Sequence, residues 1–285
     1  VPGPVAFGRG GTVPTVTDAH IALGRLDAAQ LSGGVRISAE AARAAVAELA
    51  AQLGTDATRT ASAIIAIADA EMARALRRVS VERGIDPRSC TLLAFGGGGP
   101  LHACALADLL GMRSILVPPH AGVLSALGLA IAPERREAAA SVMRRALDVT
   151  AFEWRAVLER IARDAGSVGS AERRSHWTAR VRYVGQGHEL DVSCTPGDDG
   201  PSLATRFSAL HDARYGFTLD RPVEVVAVRV AVSGMPVPVK FAPSAQNQTP
   251  VRGPAVVTLS DATMVVADGW VARPLPVGGW MLERA

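Results

Sequence analysis

The spacing of apolar residues marks out the elements of the first half of the chain. Ser38 ahead of residues 40–53 predicts an N-capped, Ala-rich helix that stops at Gly54. A longer helix is predicted over residues 59–82, with Ile64, Ile67, Ala68, Met72, Leu76 and Val79 along one face and Gly84 as its stop. The run TLLAF (residues 91–95) reads as a buried strand, the next four glycines as a turn, and residues 100–110 as a helix with Pro100 in its first turn. After Gly111, SILV reads as a second strand and residues 123–131 as a buried helix. This β-turn-α-β-α order implies parallel strands joined by a right-handed crossover. Residues 1–36, by contrast, are rich in Gly and Pro, with turns at Pro2-Gly3-Pro4 and Gly33-Gly34, and are predicted to be loop.

Beyond Pro133 the pattern changes. A helix over residues 151–165 leads to strands at 177–184 and 188–193 across the turn Gly185-Gln186-Gly187. Residues 203–215 read as helix, and VEVVAVRVAV (223–232) as a β-branched strand. A Pro- and Gln-rich linker over 236–250 precedes a tail of short strands. The expected organisation is residues 1–147, residues 148–249, and a small β module over 250–285.

Composition narrows the function classes. The chain has 285 residues, of which 48% are hydrophobic and 20% charged, enough for about two ordinary domains with a sizeable core. Its net charge of +3 is carried almost wholly by Arg, since Lys240 is the only lysine, and the scattered arginines have no interleaved aromatics. Nucleic acid is therefore not an expected partner. Residues 114–133 carry no charged side chain, but Pro118, Pro119 and Gly122 argue against a membrane-crossing helix. Cys90, Cys104 and Cys194 offer no C-x-x-C pair, and VPGPVAFGRGGT lacks a secretory signal pattern, so a cytoplasmic protein with free thiols is expected.

The candidate chemistry centres on Gly96, Gly97, Gly98 and Gly99. Four glycines between a strand and a helix let a ligand approach the main chain, and the helix N-terminus beyond them favours a phosphate. The same run also suits a tight turn for close helix-strand packing. No Walker A lysine follows, and the spacing is not that of a dinucleotide fingerprint. His102, one turn on, is placed to contact a phosphate, a carbonyl or a metal, or else to be satisfied by backbone. Asp18, in TVTDAH beside Gly10 and Gly11, is suited to hold magnesium or polarise water, and equally to cap a turn.

The runs AFGGGGPLHACALADLLG and VPPHAGVLSALGLAIAPERRE resemble the hydantoinase A/5-oxoprolinase family, which includes subunits of acetone and acetophenone carboxylases. The resemblance continues through PGPVAFGRGGTVPTVTDAHIALGRLD, ADAEMARALRRVSVERGIDPR, RYVGQGHELDV and FSALHDARYGFTLDRPVEVVAVRV, and GPLHA looks like the hydantoinase and ketone-carboxylase branch. Gly98 stands where Ala is more usual, and His20 where Asn is more usual. The resemblance implies an α/β fold: one lobe of an actin, hexokinase or Hsp70-like ATPase with a mixed sheet and flanking helices, then an α+β carboxy-terminal domain with a small β tail. It implies ATP and Mg²⁺, with Gly96 to Gly99 on the adenosine side, Gly10, Gly11 and Thr12 as further nucleotide contacts, Asp18 as metal ligand, and Asp18 and His102 as catalytic groups.

The family's amino-terminal D-x-G-G-T phosphate loops have no counterpart here, since Gly10-Gly11-Thr12 follows Arg9. The expected activity is thus ATP-dependent opening of a cyclic amide such as a hydantoin by a partial or split subunit. It would be inactive without an amino-terminal half and would work beside a B-type subunit. The alternatives are a ketone carboxylase subunit, a 5-oxoprolinase, and a non-catalytic assembly module.

Overall fold

Capped helices open the chain in the computed structural model, which describes residues 3–27, 37–169, 173–239 and 249–285. The turn expected at Gly33-Gly34 and most of the 236–250 linker lie outside the described residues. Helix α1 (Val16–Ala22) stands in the stretch expected to be loop. It starts at a reciprocal capping box, in which the Thr15 hydroxyl accepts from the Asp18 N–H and the Asp18 carboxylate accepts from the Thr15 N–H. Helix α2 (Ala39–Gln52) begins at Ser38 as expected. Helix α3 (Ala57–Val79) begins two residues early because Asp56 caps it.

The buried face of α3 differs from the expected one. Ala61, Ile65, Asp69 and Ala73 are buried, whereas Ile67 and Val79 are exposed. Met72 and Leu76 line a second, apolar groove with Leu92, Phe95 and Leu106. The helix therefore carries two apolar stripes, and Ala61 and Ile65 of the first share a core with Ala19 of α1 and Val46 of α2.

Strand β1 (Leu92–Leu93), helix α4 (Gly99–Leu110) and strand β2 (Ser114–Val117) follow, and β1 pairs with β2 in parallel as expected. Helix α5 (Leu124–Ile131) buries none of its residues, unlike the buried helix expected there, and no helix among the described residues is long and apolar enough to cross a membrane.

The chain divides into two compact units, Val1–Leu129 with Lys240–Ala285, and Ala130–Val239. This corrects the expected boundaries at both ends. Strand β3 (Arg135–Arg145) pairs antiparallel with β6 (Val223–Gly234) along most of its length, so the second unit starts before residue 147. The tail is not a separate module. Its strands β7 (Val251–Arg252), β10 (Trp270–Pro274) and β11 (Trp280–Arg284) complete the first sheet in the order β1-β2-β11-β10-β7. The hairpin β8–β9 (Ala255–Thr258, Thr263–Val266) packs against α4. Trp270, Trp280, Leu282, Met264 and Val266 thereby share one core with Ala103, Ala107, Ile115 and Val117. Register explains the fit: Val117 and Ile115 on β2 lie opposite Trp280 and Leu282 on β11, so alternation puts all four side chains on one buried face.

In the second unit an antiparallel sheet of order β3-β6-β4-β5 adds β4 (Arg173–Tyr183) and β5 (Leu190–Cys194), and helices α6 (Ala151–Ala165) and α7 (Gly200–Tyr215) cover it. Tyr183 and His211 pack into this unit's interior. Trp154 on α6 is fully buried and donates its indole N–H to the Thr195 carbonyl at 3.0 Å. Trp154→Ala should cost this unit about 3–5 kcal/mol, measured as a lowered urea midpoint of its unfolding transition.

Candidate functional site

The glycine turn is held open by its neighbours. Ala94 N–H donates to Leu116 O at 2.9 Å, and Gly96 N–H to Ala121 O at 2.7 Å. Gly96 has φ +85°, a conformation glycine adopts without strain. Gly98 is the N-cap of α4, Gly99 its first residue, and Pro100 follows without a lost hydrogen bond. A Cβ built on Gly97 or Gly98 meets nothing within 4 Å. Packing therefore does not demand glycine at these two positions, and both line a cavity of about 510 Å³.

That cavity is walled by α1, the glycine turn, the first turn of α4 and the β8–β9 turn, and includes Asp27 and Asp261. Among the described residues lining it there is no Arg or Lys. Such a lining suits hydroxyl and amide groups, whereas a triphosphate would need cations from elsewhere.

Three buried side chains form its floor and the layer beneath. His102 Nδ1 lies 2.6 Å from Asp69 Oδ1, and His102 Nε2 lies 3.3 Å from His20 Nε2. The two imidazoles meet edge to face, with centroids 4.8 Å apart. His20 is 1% exposed, and its Nδ1 has no hydrogen-bond partner among the described residues. Burial first, then the neighbouring His102 and Arg25, depress the His20 imidazole to about pKa 4, against a small opposing pull from Asp69. His20 is thus neutral in the folded chain at pH 7.

The sign of the resulting pH dependence is fixed. Between pH 6.5 and about 4 the unfolded chain protonates His20 while the folded chain does not. The contribution is complete above pH 6.5 and is lost as pH falls, on the order of 3 kcal/mol in all. Urea unfolding of the first unit should weaken across this window, and His20→Asn should flatten the dependence.

The remaining expected site residues lie elsewhere. Asp18 is fully buried, and its carboxylate accepts from Val5 N–H, Ala6 N–H, Thr15 N–H and the Thr15 hydroxyl at 2.8–3.1 Å. Its oxygens are committed to holding the first loop against α1, so the metal-binding and catalytic roles expected of it do not fit this geometry. Gly10, Gly11 and Thr12 do not line the cavity. A Cβ on Gly11 would sit 2.3 Å from Gly3 O, so close backbone approach accounts for that glycine. Among the described residues no group of three or more His, Cys, Asp or Glu is arranged to hold a metal. Cys104 and Cys194 are free, and burial raises their thiols to about pKa 11 and about 12, which leaves them unreactive.

Asp69 and His20 were not singled out as site residues from the sequence. A signal existed for the first: Asp69 interrupts a stripe of residues four apart, 61, 65, 69 and 73, and a carboxylate there must find a partner.

Residues 1–138 match the hydantoinase/oxoprolinase family. Caprolactamase subunit alpha of Pseudomonas jessenii is 32% identical over 292 residues, covering 96% of this chain and 42% of that protein. The crystal structure of the ATP-dependent caprolactamase from Pseudomonas jessenii superposes with a TM-score of 0.74 at 29% identity, covering 100% of this chain and 48% of that one. The acetophenone carboxylase gamma subunit of Aromatoleum aromaticum is 40% identical over 134 residues, covering 46% of this chain and 18% of that protein. The chain spans less than half the length of these relatives.

Proposed function

This chain belongs to the hydantoinase/oxoprolinase family, and from that membership we propose that it contributes the adenosine side of an ATP-dependent enzyme that opens a cyclic amide. The observation that carries the reading is the cavity at Gly97 and Gly98, open above both α-carbons and next to the N-terminus of α4. Asp27 and Asp261 are suited to accept from ribose hydroxyls, as carboxylates do in other nucleotide sites. Bound ATP would supply a phosphoryl group to the amide carbonyl oxygen, which makes the carbonyl carbon a better electrophile for water. The lack of Arg and Lys in the lining supports a second polypeptide or segment as the source of the phosphate-binding groups, with the first unit serving as one lobe of an actin-like ATPase. Magnesium would accompany the phosphates, which share its coordination with water. The subunit character of the caprolactamase relative supports a hetero-oligomer with a B-type partner.

Calorimetry with ATP and magnesium tests this, comparing the chain alone with the chain plus an amino-terminal-half polypeptide from a full-length relative. Binding in the mixture is expected. If neither sample binds, the assembly-module reading takes its place. The acetophenone carboxylase match favours a second reading, a ketone carboxylase subunit. Assaying the assembled complex with a lactam against a ketone plus bicarbonate separates the two.

A further inference from the structure

We propose that the free edge of strand β1 and the apolar cleft beside it are the docking surface for the polypeptide that supplies the phosphate-binding groups, and that this polypeptide adds there as a further strand parallel to β1. This rests on the two-part enzyme reading above and names the surface that joins the parts.

The edge is open on one side. Strand β1 is terminal in the five-stranded sheet, with β2 as its one neighbour among the described residues. Ala94 N–H donates inward to Leu116 O at 2.9 Å. Backbone groups of successive residues in a parallel strand turn to opposite sides, so the N–H and C=O of Leu93 face the edge. Native edges are ordinarily guarded by charge or proline, or covered by another element. Neither guard is present in Leu92-Leu93-Ala94-Phe95, where Leu93 is 47% and Phe95 44% exposed.

The cleft adds an apolar floor to that edge. It holds about 300 Å³ between α3, β1 and α4, and its lining includes Met72, Leu76, Leu93, Phe95 and Leu106. Among the described residues lining it there is no charged, hydroxyl or amide side chain. Val79, one turn beyond Leu76, and Leu109, one turn beyond Leu106, are exposed as well. A strand laid along β1 offers alternate apolar side chains to this cleft and its backbone to Leu93, so burial and hydrogen bonding favour the same pose.

Direction selects the occupant. Strand β1 leads into Gly96, and Gly97 and Gly98 line the cavity of about 510 Å³. A strand parallel to β1 has its carboxyl end on that same side, so the loop that follows it opens beside the glycine turn, where parallel sheets take their ligands. The cavity lining without Arg or Lys is thus completed from the side where it is deficient. Chain for such a strand exists in the caprolactamase relative, which matches 96% of this chain over only 42% of its own length. A second copy suits the edge less, because β1 is two residues long and two such edges share few hydrogen bonds.

The test measures association of the full chain with the amino-terminal half of a full-length relative, by calorimetry without nucleotide. Binding is expected, with hydrogen-exchange protection gained over residues 72–79 and 91–95 and unchanged over 177–183. Leu93→Pro removes the outward N–H and keeps the ladder to β2, since proline is tolerated on the open side of an edge strand. Met72→Glu places a charge in the cleft. Each should weaken association at least about 10-fold with the thermal melt of the chain unchanged. The exchange measurement on the wild type decides where a variant fails to fold. No association, association that neither variant weakens, or protection gained elsewhere than 91–95 overturns the proposal. So does self-association, or binding to phosphatidylcholine vesicles, that Met72→Glu abolishes, since a second copy or a lipid then fills the cleft. Docking at β1 in a mixture that binds no ATP sinks the nucleotide reading and leaves the docking surface standing. ATP binding that both variants leave intact does the reverse.

Discussion

Deleting residues 250–285 is expected to unfold the first unit outright while the second keeps its structure. The tail supplies Met264, Val266, Trp270, Trp280 and Leu282 to the first core, all nearly fully buried. Each such side chain is worth about 1.5–3 kcal/mol when buried, so the five together are comparable to the whole 5–15 kcal/mol on which an ordinary domain rests. It also strips β2 of its antiparallel partner along Ser114–Val117, leaving a buried strand edge unpaired. The second unit has an independent core around Trp154, Leu158, Phe207 and Val228, with no tail residue in it. Hydrogen exchange followed by mass spectrometry reads both halves at once. Amides of residues 101–117 should lose protection, and those of 177–183 and 225–232 should retain it. Continued protection of 101–117 would show that the tail decorates the sheet and does not complete it.

This dependence on residues some 150 positions away explains what the sequence did not disclose. Helix α6 was legible to the residue, because Thr150 and Glu153 form a capping box ahead of an amphipathic run. The strong strand β6 and the parallel pair β1–β2 were legible for similar local reasons. Strand β3 was not, since RREAAASVMRR has weak β propensity and is strand through its pairing with β6. Helix α1 was readable from Thr15-x-x-Asp18, but the surrounding glycines and prolines pointed to loop. The same division runs through the site. Gly97, Gly98 and His102 sit within one short motif, which makes them candidates from the sequence alone. Asp69 and His20 reach His102 from 33 and 82 residues away, and only the tertiary fold brings these three together.

Gly97→Val is expected to abolish nucleotide binding without destabilising the chain, and that separation gives it its force. At Gly96 a side chain would be strained by the positive φ, and at Gly11 it would strike backbone, so loss of function at either would be ambiguous. At Gly97 a Cβ meets nothing within 4 Å and the backbone is not in the left-handed region, so the branched side chain projects into the cavity space. Folding stability should change by no more than about 0.5 kcal/mol. A ligand that needs close approach to the main chain would instead meet two methyl groups. Affinity for ATP in the mixture with the amino-terminal half should fall at least about 100-fold, which is roughly 3 kcal/mol. Paired thermal melts and calorimetry supply both numbers. If the variant melts with the wild type and binds ATP equally well, nucleotide does not lie over this turn, and the four glycines are there for the close pairing of β1 and α4.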